Sequence, residues 1–68
     1  MHVHINDEPR HFETDELTVE ALLEALGIEE RRGVALAVNK RVVPRSRWSD
    51  ESIRDGDTVE IIRATQGG

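Results

Sequence analysis

The chain contains no cysteine, and this absence removes several kinds of chemistry at once. Without a thiol, the 68-residue chain forms no disulfide, builds no zinc–thiolate site and carries no side-chain persulfide or thioester. No hydrophobic run approaches the roughly 20 residues of a membrane-spanning helix, and no signal peptide opens the sequence. These absences predict a soluble protein of the cytoplasm.

Positive charge is scarce relative to negative charge. The formal net charge is −5, with 14 acidic and 9 basic side chains. A general nucleic-acid binder needs a basic surface, so the charge argues against this class, whereas an acidic surface suits a partner with a basic docking face. The length allows one small domain, too short to enclose a substrate pocket. Because no nucleophile–base pair and no phosphate-binding loop stand out, an enzyme is not predicted.

The first half of the chain predicts a hairpin and a helix. Residues 2–6 alternate between polar and apolar side chains and predict a half-buried strand; a turn at residues 6–9 leads to a second strand over residues 10–14. In that second strand Phe12 is expected to face inward. A helix then follows, with Thr18 as its N-cap and Gly27 ending it in the left-handed backbone conformation. Its apolar stripe consists of Val19, Leu22, Leu23 and Leu26.

The second half predicts three further strands. Residues 34–38 form a continuous apolar run typical of an interior strand, and residues 42–43 form a short edge strand stopped by Pro44. The tight turn at residues 55–57 leads to the last strand over residues 58–62. Trp48, in the irregular segment between them, is predicted to lie in or near the core, with a binding-surface anchor as the alternative.

This order of elements predicts an α+β protein with the β-grasp arrangement. One main helix covers one face of a mixed four- to five-stranded sheet, and the other face is largely open. Residues 1–63 are expected to form the domain and residues 64–68 a flexible tail that ends on Gly67 and Gly68. Glycine allows a backbone to approach another surface closely. The ending therefore indicates a carboxylate presented to an enzyme's active site, unless it is a frayed end or an expression remnant.

Taken together, four stretches resemble the ubiquitin-like sulfur carriers, and most closely the ThiS family of thiamine biosynthesis. They are the opening strand ending in Asn6, the capped helix at residues 18–27, the segment from Val34 through Val43-Pro44-Arg45 to Trp48, and the turn at residues 55–57 with the terminal Gly67-Gly68. The resemblance covers essentially the whole chain, although residues 29–33 match nothing in it.

The resemblance implies a covalent co-substrate without catalytic residues of its own. A ThiF-type enzyme would use ATP to adenylate the Gly68 carboxylate, and a persulfide donor would convert it to a thiocarboxylate. A ThiG-type thiazole synthase would then accept the sulfur. Gly67 and Gln66 would thread the tail through a narrow tunnel, while the carrier itself, a monomer when alone, would bind no cofactor, nucleic acid or membrane.

Docking residues are a further expectation. Ile62 breaks the alternation of the last strand by facing outward with Glu60, which suggests an apolar docking patch for the activating enzyme. Arg45 is a candidate contact in the same role. It belongs to an arginine run that is either a solvated face or a partner contact, namely Arg41, Arg45, Arg47 and Arg54.

The histidines of the first hairpin are interpreted as solvated surface residues and not as a metal site. His2, His4 and His11 are expected to lie near one another, but no carboxylate or thiolate clearly completes a set of ligands.

Other functions remain open on the sequence alone. A carrier for molybdopterin synthesis or tRNA thiolation shares the fold and the Gly-Gly end, although Val43-Pro44-Arg45 with Trp48 argues against both. A non-covalent β-grasp interaction domain is a different class, which predicts that deleting Gly67 and Gly68 leaves function intact. An activated Gly68 would also acylate a lysine amine, so protein tagging is a secondary hypothesis.

Overall fold

The computed structural model of the protein describes residues 1–64. Along these residues the chain forms seven strands, one α-helix and one short 3₁₀ helix. In chain order they are β1 (His2–Ile5), β2 (Glu8–His11), β3 (Glu16–Thr18), α1 (Val19–Ala25), β4 (Val34–Val38), β5 (Arg41–Val42), the 3₁₀ helix (Arg45–Arg47), β6 (Ser52–Arg54) and β7 (Thr58–Arg63). None of the helices in this part of the chain has the length and apolar character needed to cross a membrane.

Five of the strands form one mixed sheet in the order β2-β1-β7-β4-β5. β1 runs parallel to β7, and the remaining pairs are antiparallel. The last strand of the described residues, β7, therefore lies at the centre of the sheet, between β1 and β4. One helix and a mixed sheet are the predicted β-grasp architecture, and this prediction is confirmed.

The core lies between α1 and the inner face of the sheet. Val19, Leu22 and Leu23 of the helix are fully buried against apolar side chains of β1, β4 and β7. Both predicted helix ends are confirmed. The Thr18 hydroxyl accepts a hydrogen bond from the Ala21 amide at 3.0 Å, and the chain turns at Gly27 with a φ of +77°. The amide of Ile28 then donates to the carbonyl of Leu23 at 2.9 Å, as a Schellman cap requires.

The second strand is misplaced by the sequence-based prediction. β2 spans Glu8–His11 instead of residues 10–14, and Pro9 belongs to the strand and not to the turn. The reason is a two-residue turn in which Asn6 and Asp7 both have positive φ, 51° and 70°. Such a turn lets the return strand start at once. Pro9 is tolerated there because β2 is an edge strand.

A second, two-stranded sheet is absent from the sequence-based prediction. β3 and β6 pair antiparallel, with Leu17 opposite Ile53, and Ile53 is fully buried. Each strand has only three residues, which is too few for a pattern of alternation to be recognised. Trp48 belongs to the core as predicted, with 3% of its surface exposed, and its indole Nε1 donates to the carbonyl of Val43 at 2.8 Å.

Candidate functional site

The candidate site is the end of β7, where the chain leaves the domain toward its last residues. The amide of Ala64, one residue beyond β7, donates to the carbonyl of Gly33 at 2.8 Å. Gly33 has a φ of +76°, and a Cβ built on it would lie 3.3 Å from the Cβ of Ala64. A glycine is therefore favoured at residue 33 by its own backbone conformation and by the close passage of the outgoing chain.

Side chains from two turns hold β7 at its start and in its second half. The Asn6 side-chain amide accepts from the Ile61 N–H at 2.8 Å and donates to the Ile61 carbonyl at 3.1 Å. At the start of β7, Asn39 accepts from the Thr58 N–H and donates to Asp57 Oδ1, both at 3.0 Å. β1 pairs with β7 only at residues 4–5, so Asn6 extends that pairing with its side chain. The strand that carries the outgoing chain is thus fixed along its length.

The loop at residues 29–33 is tied to the rest of the domain by arginines. The Arg31 guanidinium donates to the carbonyl of Ile28, and the Arg45 guanidinium donates to the carbonyl of Arg31. Arg45 also lies over the Trp48 ring, 5.6 Å from its centroid, within the range of a cation–π contact. Arg45 therefore supports the loop that contacts Ala64. Within the same loop, hydrogen bonds from the Arg32 backbone and side chain lower the pKa of Glu30.

An apolar patch lies on the face of the sheet opposite the helix. Val42 and Ile62 are 75% and 67% exposed, far more than any core residue. The strand register places Ala35 opposite Ile62, and Ala37 next to both Glu60 and Val42. We call the four apolar residues Ala35, Ala37, Val42 and Ile62 the outer patch. The predicted outward position of Ile62 beside Glu60 is confirmed as a position on this face, whereas the contacts of Arg45 run to Arg31 and Trp48.

The remaining polar candidates divide into separate groups. Arg41, Arg47 and Arg54 line one open groove near the start of β7, together with Asp50 and Glu51. In the part of the chain that the structure describes, no group of three or more His, Asp or Glu side chains is arranged to hold a metal ion. Gln66, Gly67 and Gly68 lie outside the described residues, and their roles stay predictions, as does the division of the chain at residue 63.

Comparison with known proteins decides the family. The ThiS family model matches residues 3–68. The chain belongs to the ThiS family. It is 34% identical over 68 residues to the sulfur carrier protein ThiS of Escherichia coli, and the match covers all of both chains. The crystal structure of the thiamine biosynthesis protein ThiS from Geobacter metallireducens superposes with a TM-score of 0.88 at 29% identity, again over all of both chains.

A third relative is a larger protein. The chain is 41% identical over 68 residues to a thiazole synthase of Paramagnetospirillum magneticum. The match covers the whole of this chain but spans only 20% of that synthase. Membership of the ThiS family makes the protein a small sulfur carrier of thiamine biosynthesis and not a catalyst.

Sequence reasoning missed two features of this ThiS-family site. Residues 29–33 carry no recognisable motif, yet Gly33 is the partner of the outgoing chain at Ala64. The bridges from Asn6 and Asn39 to β7 also went unpredicted. A signal for them exists, because both asparagines occupy two-residue turns with positive φ, where Asn is favoured and its amide lies near a neighbouring strand.

Proposed function

We propose that this ThiS-family carrier holds its sulfur as a thiocarboxylate on Gly68. A free carboxylate is a poor electrophile because oxide is a poor leaving group. Attack of the Gly68 carboxylate on the α-phosphate of ATP gives an acyl-adenylate and releases pyrophosphate. The terminal sulfur of a persulfide then attacks the acyl carbon and displaces AMP. A second protein thiol then attacks the donor's sulfur in the resulting acyl disulfide. This attack releases the thiocarboxylate on Gly68 and joins the second thiol to the donor cysteine in a disulfide.

The observation that carries this proposal is the family match over residues 3–68, which includes the final Gly-Gly. The absence of cysteine supports it, since no side chain offers a thiol on which sulfur could be held. The reacting carbonyl needs a narrow approach, and Gly67 and Gly68 place no side chain in the way. Gln66 and Gly67 would occupy the narrow tunnel that leads into the partner's active site.

Three proteins would act on this carrier. A ThiF-type enzyme supplies adenylation and consumes ATP, so the carrier needs no cofactor of its own. A protein persulfide supplies the sulfur, and a ThiG-type thiazole synthase receives it. The thiazole synthase of Paramagnetospirillum magneticum supports the last assignment, because a segment 41% identical to this chain occupies part of that polypeptide.

The outer patch is the proposed docking surface for the adenylating enzyme. Ile62 lies two residues before Ala64, so a protein bound on the outer patch is close to the exit of the tail. An apolar centre with a polar rim is typical of protein interfaces, and Glu60, opposite Ala37, would be one polar residue at this rim. Arg45 would contribute indirectly by holding the loop that contacts Ala64.

The test is the intact mass of the carrier after incubation with the adenylating enzyme, ATP and a persulfide donor. We expect a mass increase equal to the exchange of one oxygen for sulfur, and no increase for Gly68→Ala. The variant should keep the thermal midpoint of the wild type because residue 68 comes five positions after Arg63, where β7 ends. An unchanged wild-type mass with an enzyme set that modifies the Escherichia coli carrier would refute the proposal and favour a non-covalent interaction domain.

A further inference from the structure

Two histidines that the proposed function does not use meet across the first hairpin. His2 of β1 lies directly opposite His11 of β2, and both are exposed. Nδ1 of His11 is 2.9 Å from Nε2 of His2, and the ring centroids are 4.4 Å apart with an interplanar angle of 48°. His4, two residues along β1, is opposite Pro9 and so has no imidazole across the hairpin.

We propose that His2 and His11 chelate a divalent transition-metal ion, with water completing its coordination. Imidazole nitrogens bind such ions at about 2.0–2.1 Å. Two nitrogens in neighbouring positions of a square-planar or octahedral ion are then about 2.9 Å apart, whereas a tetrahedral ion separates them by about 3.4 Å. The observed 2.9 Å between Nδ1 of His11 and Nε2 of His2 matches neighbouring positions of a square-planar or octahedral ion. Cu²⁺ and Ni²⁺ prefer square-planar or tetragonal coordination.

Metal binding at this pair replaces a hydrogen bond. The short nitrogen–nitrogen contact requires a hydrogen on one of the two facing atoms and a lone pair on the other. With both lone pairs on the metal, that hydrogen moves to the other nitrogen of the same ring. The neutral imidazole changes tautomer, and no proton is lost from the pair.

The backbone around the two histidines is already fixed. The His2 amide donates to Asp55 Oδ1 at 2.7 Å, and the amino group of Met1 donates to the carbonyls of Phe12 and Thr14 at 2.6 and 2.8 Å. These bonds hold β1 and β2 on both sides of the pair, so little ordering is needed on binding. The Asp55 carboxylate also places a negative charge beside the site, which favours a cation.

The pair lies at the end of the sheet where β7 begins, opposite the end where β7 stops at Arg63. The Gly56 amide, two residues before β7, donates to the carbonyl of His2 at 2.8 Å. From Thr58 to Arg63, β7 extends about 17 Å along the strand direction. A bound ion would therefore lie far from Ala64, and the inference stands independently of the proposed function.

Calorimetric titration with Cu²⁺ tests the inference, using the full chain without a histidine tag in a buffer that does not bind metal. We expect one ion per chain and a Cu²⁺ electron paramagnetic resonance spectrum with coupling to two imidazole nitrogens. His2→Ala and His11→Ala should each weaken binding roughly a hundredfold, because a single imidazole loses the gain from linking two ligands. His4→Ala is the matched control and should bind as the wild type does.

Two results would overturn the inference. If His2→Ala abolishes binding and His11→Ala does not, the ion is held by His2 and the amino group of Met1. If all four proteins bind equally or none binds, the histidine pair is only a surface contact. Since all three histidines are exposed, loss of the fold does not complicate these variants.

Discussion

Asp55 is a fully exposed carboxylate that nevertheless connects the start of β1 to the turn before β7. Its Oδ1 accepts from the His2 amide, and that bond favours the ionised form of the carboxyl. The pKa of Asp55 therefore lies below its ordinary value, and the nearby imidazoles and amino terminus lower this pKa further. One residue thus makes the end of the sheet where β1 and β7 begin sensitive to acid.

This shift predicts a pH dependence of stability. The carboxyl has a lower pKa in the folded chain than in the unfolded chain, so its contribution is fully present above the unfolded value, about pH 4. The contribution is lost as the pH falls through the folded value. In Asp55→Asn the thermal midpoint should be lower than that of the wild type at pH 7, and the two midpoints should converge below pH 4.

Glu13→Gln is the control for this comparison. Glu13 is an exposed carboxylate that forms no side-chain hydrogen bond among residues 1–64. The thermal midpoint of Glu13→Gln should match that of the wild type across the same pH range. A difference between Asp55→Asn and the wild type that stays constant down to pH 2 would show that the His2 bond does not depend on ionisation.

At the scale of elements, β7 depends on two turns that lie far from it in sequence. Asn6 satisfies both backbone groups of Ile61 at a point where β1 no longer pairs with β7. The Asn39 side chain accepts a hydrogen bond from the Thr58 amide at the start of β7. Each turn thus has two functions, since it closes a hairpin and also supplies a side chain to the central strand.

Removing the Asn6 amide should destabilise the domain by about 1–2 kcal/mol, because two hydrogen bonds to a half-buried strand are lost. Asn6→Gly is the suitable variant because glycine accepts the positive φ of this position without strain. Urea unfolding measures the change.

Asp7→Gly is the matched control, since Asp7 also has a positive φ but makes no hydrogen bond with its side chain among the described residues. The free energy of unfolding of Asp7→Gly should lie within about 0.5 kcal/mol of the wild-type value. Equal losses in both variants would assign the effect to turn flexibility and not to the amide bridge.

The elements that could be predicted are those whose signals are local. The caps of α1 depend on Thr18 and Gly27, which lie next to the apolar stripe they delimit, and both predictions are confirmed. The pairing of β3 with β6 joins residues about 36 positions apart through three-residue strands, and no local pattern marks it. The contact of Gly33 with Ala64 is also non-local. A glycine that follows charged residues looks like an ordinary loop until the central strand is known to pass beside it.

At the scale of the whole molecule, the two faces of the sheet differ in what covers them. α1 buries the inner face, while the outer patch stays open with Val42 and Ile62 largely exposed. Acidic and basic side chains are also unevenly divided. The first 30 residues contain nine acidic side chains and one basic one, and residues 31–68 contain five and eight. A partner on the outer patch therefore meets β4, β5 and β7 from the more basic half of the chain.

Ile62→Glu tests the outer patch as the docking surface for the adenylating enzyme. An exposed residue tolerates the change, so the thermal midpoint should stay near that of the wild type. The KM for the carrier in the adenylation reaction should rise roughly tenfold or more, because a charge would be buried in an apolar contact. Steady-state release of pyrophosphate measures the reaction.

Ala25→Glu introduces the same charge on an exposed position of α1, on the other layer of the molecule, and should leave the KM unchanged. If both variants raise the KM equally, net charge and not the outer patch controls the encounter. If neither changes it, the enzyme binds elsewhere on the carrier.

The central position of β7 has a mechanical consequence. β7 has a neighbouring strand on each side, and its pairing with the chain continues to Ala64. A force applied to the last residues acts along the axis of β7, so it loads the cross-strand hydrogen bonds together in shear instead of opening them one by one. The domain should therefore resist tension at this end better than one whose last strand lies at the edge of its sheet.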